Sequence, residues 1–187
     1  MKKMGLALLL ASGLMASDDG VYLGADLGNT KADFKMFIHD PNINFSKKDD
    51  GGSQTLKVGY YFNSNNRIAA FYQNINIEDG NGDISGIGYD YLIGDHELKP
   101  FAGVMAGYGS MDDDYFGFDI SGAFIGAQLG INYAFNDNIS IEAGYRYMKT
   151  NMNDTVAVIV IDLGEIRDLD IEIDTLKNWF IGANYKF

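Results

Sequence analysis

Asn178-Trp179-Phe180-Ile181-Gly182-Ala183-Asn184-Tyr185-Lys186-Phe187, the last ten residues, reads with a period of two. Trp179, Ile181, Ala183, Tyr185 and Phe187 share one parity, and Asn178, Gly182, Asn184 and Lys186 share the other. Alternate residues of a strand face opposite sides. This strand is therefore expected to have one apolar, aromatic face and one small or polar face. A soluble sandwich can produce that pattern once. Its repetition in the same phase along most of the chain predicts a barrel with an apolar outside and a polar inside.

Parity counted back from Phe187 gives eight candidate strands. They begin near Val21, Thr55, Arg67, Ile84, Leu98, Gly122, Ile139 and the terminal stretch. Outward residues include Val21, Leu23, Ala25 and Leu27 in the first, Leu56, Val58, Tyr60 and Phe62 in the second, and Ile68, Ala70 and Tyr72 in the third. The fourth sets Ile87, Tyr89, Tyr91 and Ile93 outward, and the fifth sets Ala102, Val104, Ala106 and Tyr108. The sixth and seventh continue with Ile125, Leu129, Ile131, Ile141, Tyr145 and Tyr147. Each strand is expected to be about ten residues, the length a tilted strand needs to cross hydrocarbon.

Asn63–Asn66, Gly94–Glu97 and Asn136–Asn138 read as tight turns, while 32–54, 78–83, 110–121 and 150–175 read as longer connections. This alternation predicts short periplasmic turns, long outer loops and both chain ends in the periplasm. The last connection reads as a hairpin carrying strands seven and eight above the membrane. Its Leu169, Ile171 and Ile173 are expected outward with Trp179, and Asp168, Asp170, Glu172 and Asp174 inward. Lys149 and Lys177 fall outward at the upper strand ends, where long stems can reach headgroups.

The start of the chain predicts export. Lys2 and Lys3 precede an apolar stretch from Leu6 to about Met15, too short for a spanning helix, and Ala16 offers a small residue for cleavage. The expected division is a signal peptide at 1–16 and a barrel at 17–187. The formal charge is −12, and loss of Lys2 and Lys3 makes it −14 (−12 minus 2). That balance argues against nucleic acid as a partner. With no cysteine, thiol catalysis and zinc–cysteine sites are excluded.

The segments Lys99-Pro100-Phe101-Ala102-Gly103-Val104-Met105-Ala106-Gly107-Tyr108, Ile141-Glu142-Ala143-Gly144-Tyr145-Arg146-Tyr147 and Gly182-Ala183-Asn184-Tyr185-Lys186-Phe187 resemble the small outer-membrane β-barrel proteins. That group includes the OmpA transmembrane domain and OmpX. The resemblance implies an all-β, eight-stranded, antiparallel up-and-down transmembrane barrel. It also implies that Ile181, Tyr185 and the terminal Phe187 form a signal read by the barrel-assembly machinery. Outer-membrane lipid and lipopolysaccharide are the implied surroundings.

Asp26, Lys57, Asp90, Lys99, Gln128, Asn132, Glu142 and Arg146 fall on the inward parity. Charges held there must pair across the lumen. Glu142 and Arg146 are roughly 13 Å apart along the strand, so each is expected to pair with neighbouring strands. An eight-stranded interior is only wide enough for side chains, which predicts a polar plug. A gated, narrow porin-like channel is the alternative. A secreted lipocalin-like binder is a further alternative and requires the apolar parity inward.

The acidic groups Asp49-Asp50, Glu78-Asp79-Asp83 and Asp112-Asp113-Asp114 lack the spacing of a calcium loop and read as solvated surface. His96 sits in a tight turn. His39 has Asp40 and Ser46 nearby in sequence, but no motif fixes their geometry. Neither catalysis nor a cofactor is expected. The expected role is structural, or contact with an extracellular ligand through the outer loops.

Overall fold

A computed structural model describes residues 19–39, 42–77, 80–113, 119–160 and 165–187. The predicted signal peptide lies outside them. Eight strands form a closed antiparallel barrel in chain order: β1 Gly20–His39, β2 Asn42–Asn63, β3 Asn66–Ile77, β4 Gly80–Leu92, β5 Leu98–Asp113, β6 Asp119–Ala134, β7 Ile139–Val160 and β8 Glu165–Lys186. β8 closes on β1, and Trp179 lies opposite both Asn29 and Tyr145.

One end is gathered by asparagine. Asn63 Oδ1 accepts from the Asn65 amide at 2.9 Å, and Asn65 Nδ2 donates to the carbonyls of Leu92 and Gly94, both at 2.8 Å. Asn136 Oδ1 accepts the amides of Asn138 (2.9 Å) and Ile139 (2.8 Å). Short amide side chains supply a turn with backbone-like partners. Gly94 adopts φ +95°, which only glycine adopts without strain. The Phe187 amide donates to the Val21 carbonyl at 3.0 Å, so both chain ends meet at this turn end.

The strands exceed the expected ten residues. β3 and β4 have 12 and 13, but β1, β2, β7 and β8 have 20, 22, 22 and 22. Most of what reads as loop in 32–54, 78–83, 110–121 and 150–175 is instead ladder, including Lys31 opposite Asp50 and Met111 opposite Ile120. The four long strands are neighbours across the β1–β8 seam, so the extension forms a wall on one side. A strand of that length spans about 55 Å along the barrel axis at ordinary tilt, against about 25 Å of apolar belt.

Polarity inverts between the two halves. Toward the turn end, Leu27, Leu56, Ile87, Val104, Ile125, Leu129 and Ile181 are exposed outside while the interior carries ions. This excludes the lipocalin-like arrangement there. Toward the hairpin end, Ala32, Phe34, Ile75, Ile84, Met111, Ile120, Met148, Met152, Ile171, Ile173 and Leu176 pack inside as one apolar core. Outward positions at that level are Lys31, Asn74, Asn76, Asp83, Asp112, Ser121 and Asn153. Lipid outside favours an apolar exterior, whereas water outside returns the hydrophobic effect to the interior.

A bulge in β8 carries this inversion. The β1–β8 register shifts between Asp33 and Phe34, which face Thr175 and Ile173 and leave Asp174 unpaired. One extra residue reverses the side-chain phase beyond it. Ile171 and Ile173 are therefore buried in the core, not outward, while Asp170, Glu172 and Asp174 are half-exposed, not inward. Leu169 and Asp168 have side chains outside the described set. Phe180 also departs from expectation. It lies on the inward parity of β8, 6% exposed, so that face is not wholly small or polar.

Candidate functional site

The barrel interior holds a balanced set of buried ions at mid-height. Lys57 Nζ lies 2.6 Å from Asp26 Oδ1 and also pairs with Glu142. Arg146 pairs with Asp26 and donates from Nε to Gln128 Oε1 at 3.0 Å. Gln128 in turn donates from Nε2 to Asp90. Six of the eight inward residues picked out by parity are thus brought together. Lys99 is not among them. It is half-buried nearer the turn end and donates to the Ser64 carbonyl at 2.8 Å. Asn132 also sits apart, donating to Ser140 Oγ at 3.1 Å.

Arg67 completes the network, and the sequence reading did not single it out. It is 2% exposed, with Nε 2.8 Å from Asp90 Oδ2 and Nη1 2.8 Å from Glu142 Oε2. Its guanidinium lies among the rings of Phe101, Tyr22 and Tyr61, 5.1 to 5.9 Å from their centroids. The signal was present: placing Ile68, Ala70 and Tyr72 outward forces Arg67 inward. Arg146 likewise stacks on Phe180, 3.8 Å from the ring centroid. Rings hold a guanidinium through the quadrupole while its edge meets carboxylates.

Three cations (Lys57, Arg67, Arg146) meet three carboxylates (Asp26, Asp90, Glu142), so the cluster has no net charge. Glycine makes room for it. A Cβ on Gly182 would lie 2.0 Å from Asp26 Oδ1, and one on Gly103 would lie 2.0 Å from Asp90 Oδ1. Each glycine stands directly opposite its aspartate on the neighbouring strand.

The space left inside is small. A cavity of about 20 Å³ remains among Lys57, Arg67, Asp90, Gln128, Glu142 and Arg146. Toward the turn end the bore widens into an open vestibule of about 560 Å³, reached by Tyr61, Lys99, Asn132, Ser140, Asn184 and Lys186. Toward the hairpin end the apolar core closes it. This arrangement can hold the barrel shape and block passage.

The other candidates do not assemble into a site. His96 lies in the turn at the vestibule rim. Ser46 is exposed, Asp40 lies outside the described residues, and so does the His39 side chain. Among the described residues, no group of three or more acidic or histidine side chains could hold a metal. Asp83 accepts from Asn74 Nδ2 at 3.1 Å, and Asp49 accepts from the Asp50 amide at 3.0 Å. Glu78, Asp79 and Asp114 lie outside the described residues.

Ile181 and Tyr185 are exposed on the outer face at the turn end. Tyr185 and Phe187 meet edge-on with ring centroids 5.0 Å apart, as do Tyr133 and Phe135. Lys177 lies toward the hairpin end of the outer face. It donates to Asp33 at 2.7 Å, alongside Thr175 Oγ1 at 2.8 Å.

A model of the outer membrane protein beta-barrel domain matches residues 4–187. The fold is similar to that of Neisserial surface protein A, with a TM-score of 0.62 and 20% identity over 90% of this chain and 97% of that one. It is also similar to the outer membrane protein OprG of Pseudomonas aeruginosa, with a TM-score of 0.63 and 14% identity over 93% and 99%. At these identities the likeness is one of fold. No curated protein matches the chain in sequence.

Proposed function

Because this chain belongs to the outer membrane protein beta-barrel domain family, we propose that it is a plugged barrel, serving envelope structure and surface contact. It is an outer-membrane barrel by family and fold. The finer reading is that it conducts almost nothing and acts through its hairpin end. The observation that carries it is the filled interior, where a neutral ion network and an apolar core lie in series.

In this reading residues 1–16 are removed on export, and the turn end with both chain termini faces the periplasm. Ile181, Tyr185 and Phe187 present the barrel-assembly machinery with exposed alternate apolar groups on the last strand. The long wall of β7, β8, β1 and β2 rises about 30 Å beyond the belt and offers surface to an extracellular ligand. No catalytic role is assigned.

Planar-bilayer recording tests the plug. The refolded chain should give almost no current, and Arg146→Ala should raise conductance only slightly because the apolar core still closes the other half. Steady, ohmic conductance from the unsubstituted chain would establish the channel reading instead.

A further inference from the structure

The outer face of the barrel carries its cations on one side only. Between Arg67 and Arg146 the sequence has a single lysine or arginine, Lys99, and both Arg67 and Lys99 point inward. The outer faces of β3 to β6 therefore carry no lysine or arginine. On β7, β8, β1 and β2 the outward positions just beyond Trp179 include Lys149, Lys177, Lys31, Lys35 and Lys48. They stand in a chain whose formal charge is −12.

The registers bring three of these lysines together. Lys31 lies directly opposite Lys177 on the β1–β8 ladder. Lys177 lies opposite Tyr147, and Lys149, two residues further along β7, lies opposite Thr175. Directly opposed side chains are about 5 Å apart at Cβ and diagonal ones about 7 Å. Like charges placed so closely are unfavourable unless something answers them. Asp33 answers Lys177 at 2.7 Å, and Asp174 answers Lys35 at 3.3 Å. On its other side Lys31 faces Asp50 across the β1–β2 ladder without forming an ion pair with it, and Lys149 engages no carboxylate among the described residues, so the group keeps a surplus of positive charge.

Immediately toward the turn end from this group lies apolar surface: Trp179 at 64% exposure, with Leu27, Ile181 and Tyr147 also exposed. Trp179 stacks against Tyr145, 4.6 Å between centroids. A ligand held here would touch cations at one end and a greasy wall at the other. We propose that Lys31, Lys149 and Lys177 seat the phosphate of a membrane lipid whose acyl chains lie along β7, β8 and β1. The proposal rests on the reading of the chain as a membrane-inserted barrel and adds a side, a residue set and a ligand class. A lipid phosphate fits this surface better than a free phosphate, because the apolar wall contributes nothing to a soluble ion. The bare outer faces of β3 to β6 then meet lipid without selecting for charge.

Trp179 is the sole tryptophan and adjoins the site, so its fluorescence reports lipid there. The full chain is refolded in phosphatidylcholine vesicles containing a fixed fraction of phosphatidic acid, with bromine on the acyl chains of one lipid or the other. Brominated phosphatidic acid should quench Trp179 at least about twofold beyond its bulk share, as attraction of anionic lipid to several lysines implies. K31Q/K149Q should abolish the excess while keeping heat-modifiable gel mobility, since neither side chain makes an ion pair that the fold relies on. Quenching in proportion to bulk composition for both lipids leaves insertion intact and overturns the site. An excess that inorganic phosphate removes at matched ionic strength assigns the lysines to a soluble anion and overturns the lipid. Absence of quenching by either lipid overturns insertion, and the site with it.

Discussion

Arg67→Met removes the guanidinium that ties β3 to both β4 and β7. The side chain is buried, donates to Asp90 and Glu142 at 2.8 Å each, and reaches the Tyr61 hydroxyl at 3.2 Å. Breaking a buried pair by deleting one partner costs about 3–5 kcal/mol, because the remaining charge stays buried. Here the two carboxylates keep other donors: Gln128 for Asp90, and Lys57 and Asn184 for Glu142. Methionine also keeps volume among Tyr22, Tyr61 and Phe101. The expected loss is therefore near the lower end, about 3 kcal/mol. With urea slopes of about 1–3 kcal/mol per molar, the unfolding midpoint in detergent micelles should fall by about 1–3 M. Asp90→Asn alone should also destabilise, and the double variant should cost clearly less than the two losses added, because the deleted groups share one interaction. If R67M unfolds within about 0.5 kcal/mol of the unsubstituted chain, or the double variant is additive, the network is not what fixes the interior.

Three further outcomes follow from named contacts. Gly182→Val would drive a side chain into Asp26 Oδ1, 2.0 Å from its Cβ, and should cost about 1–3 kcal/mol as overpacking, read by urea unfolding; Leu27→Val on the outer face should cost much less. Deleting Asp174 joins Thr175 directly to Ile173, so the bulge disappears while Ile173 stays opposite Phe34 and Ile171 and Ile173 stay inside. Protease resistance of the β7–β8 hairpin and the heat-modifiable shift should both persist, whereas Ile173→Asp should accelerate proteolysis of that hairpin. Asp33, beyond the apolar belt, has its carboxyl held below the ordinary carboxylate value chiefly by the Lys177 hydrogen bond, against a smaller opposing effect of burial, with Thr175 adding to the lowering. A depressed folded-state value means stability present above the unfolded value and lost as pH falls through the folded one. Protection of the hairpin from an acid-active protease should therefore fall at low pH, and Asp33→Asn should remove that part of the dependence.

The barrel was legible because its lower half obeys one rule. Val104, Ile125, Leu129 and Ile181 keep a single parity, and the asparagine-rich turns punctuate it. The same rule fails above the belt for a physical reason. There the solvent outside is water, so apolar groups such as Ile75, Ile84 and Ile120 turn inward. In β8 the switch is made by one unpaired residue, Asp174, and no period-two reading can see an insertion whose partner strands are unknown. The inward charges were legible individually, but their pairing depends on which strands adjoin and at what register. Arg67 shows this well: its parity was settled by Ile68 and Tyr72, yet its importance comes from Glu142, four strands further on. Glycines opposite Asp26 and Asp90 were visible as small residues, though not as the space those carboxylates occupy.

The most direct test of a closed membrane barrel is gel mobility of the chain extracted from fractionated outer membranes, comparing unheated and boiled samples. The account predicts recovery with the outer-membrane fraction and a clear mobility difference, because the ladder from β1 round to β8 survives detergent until heated. A soluble protein in the periplasmic fraction with identical mobility in both samples would contradict it.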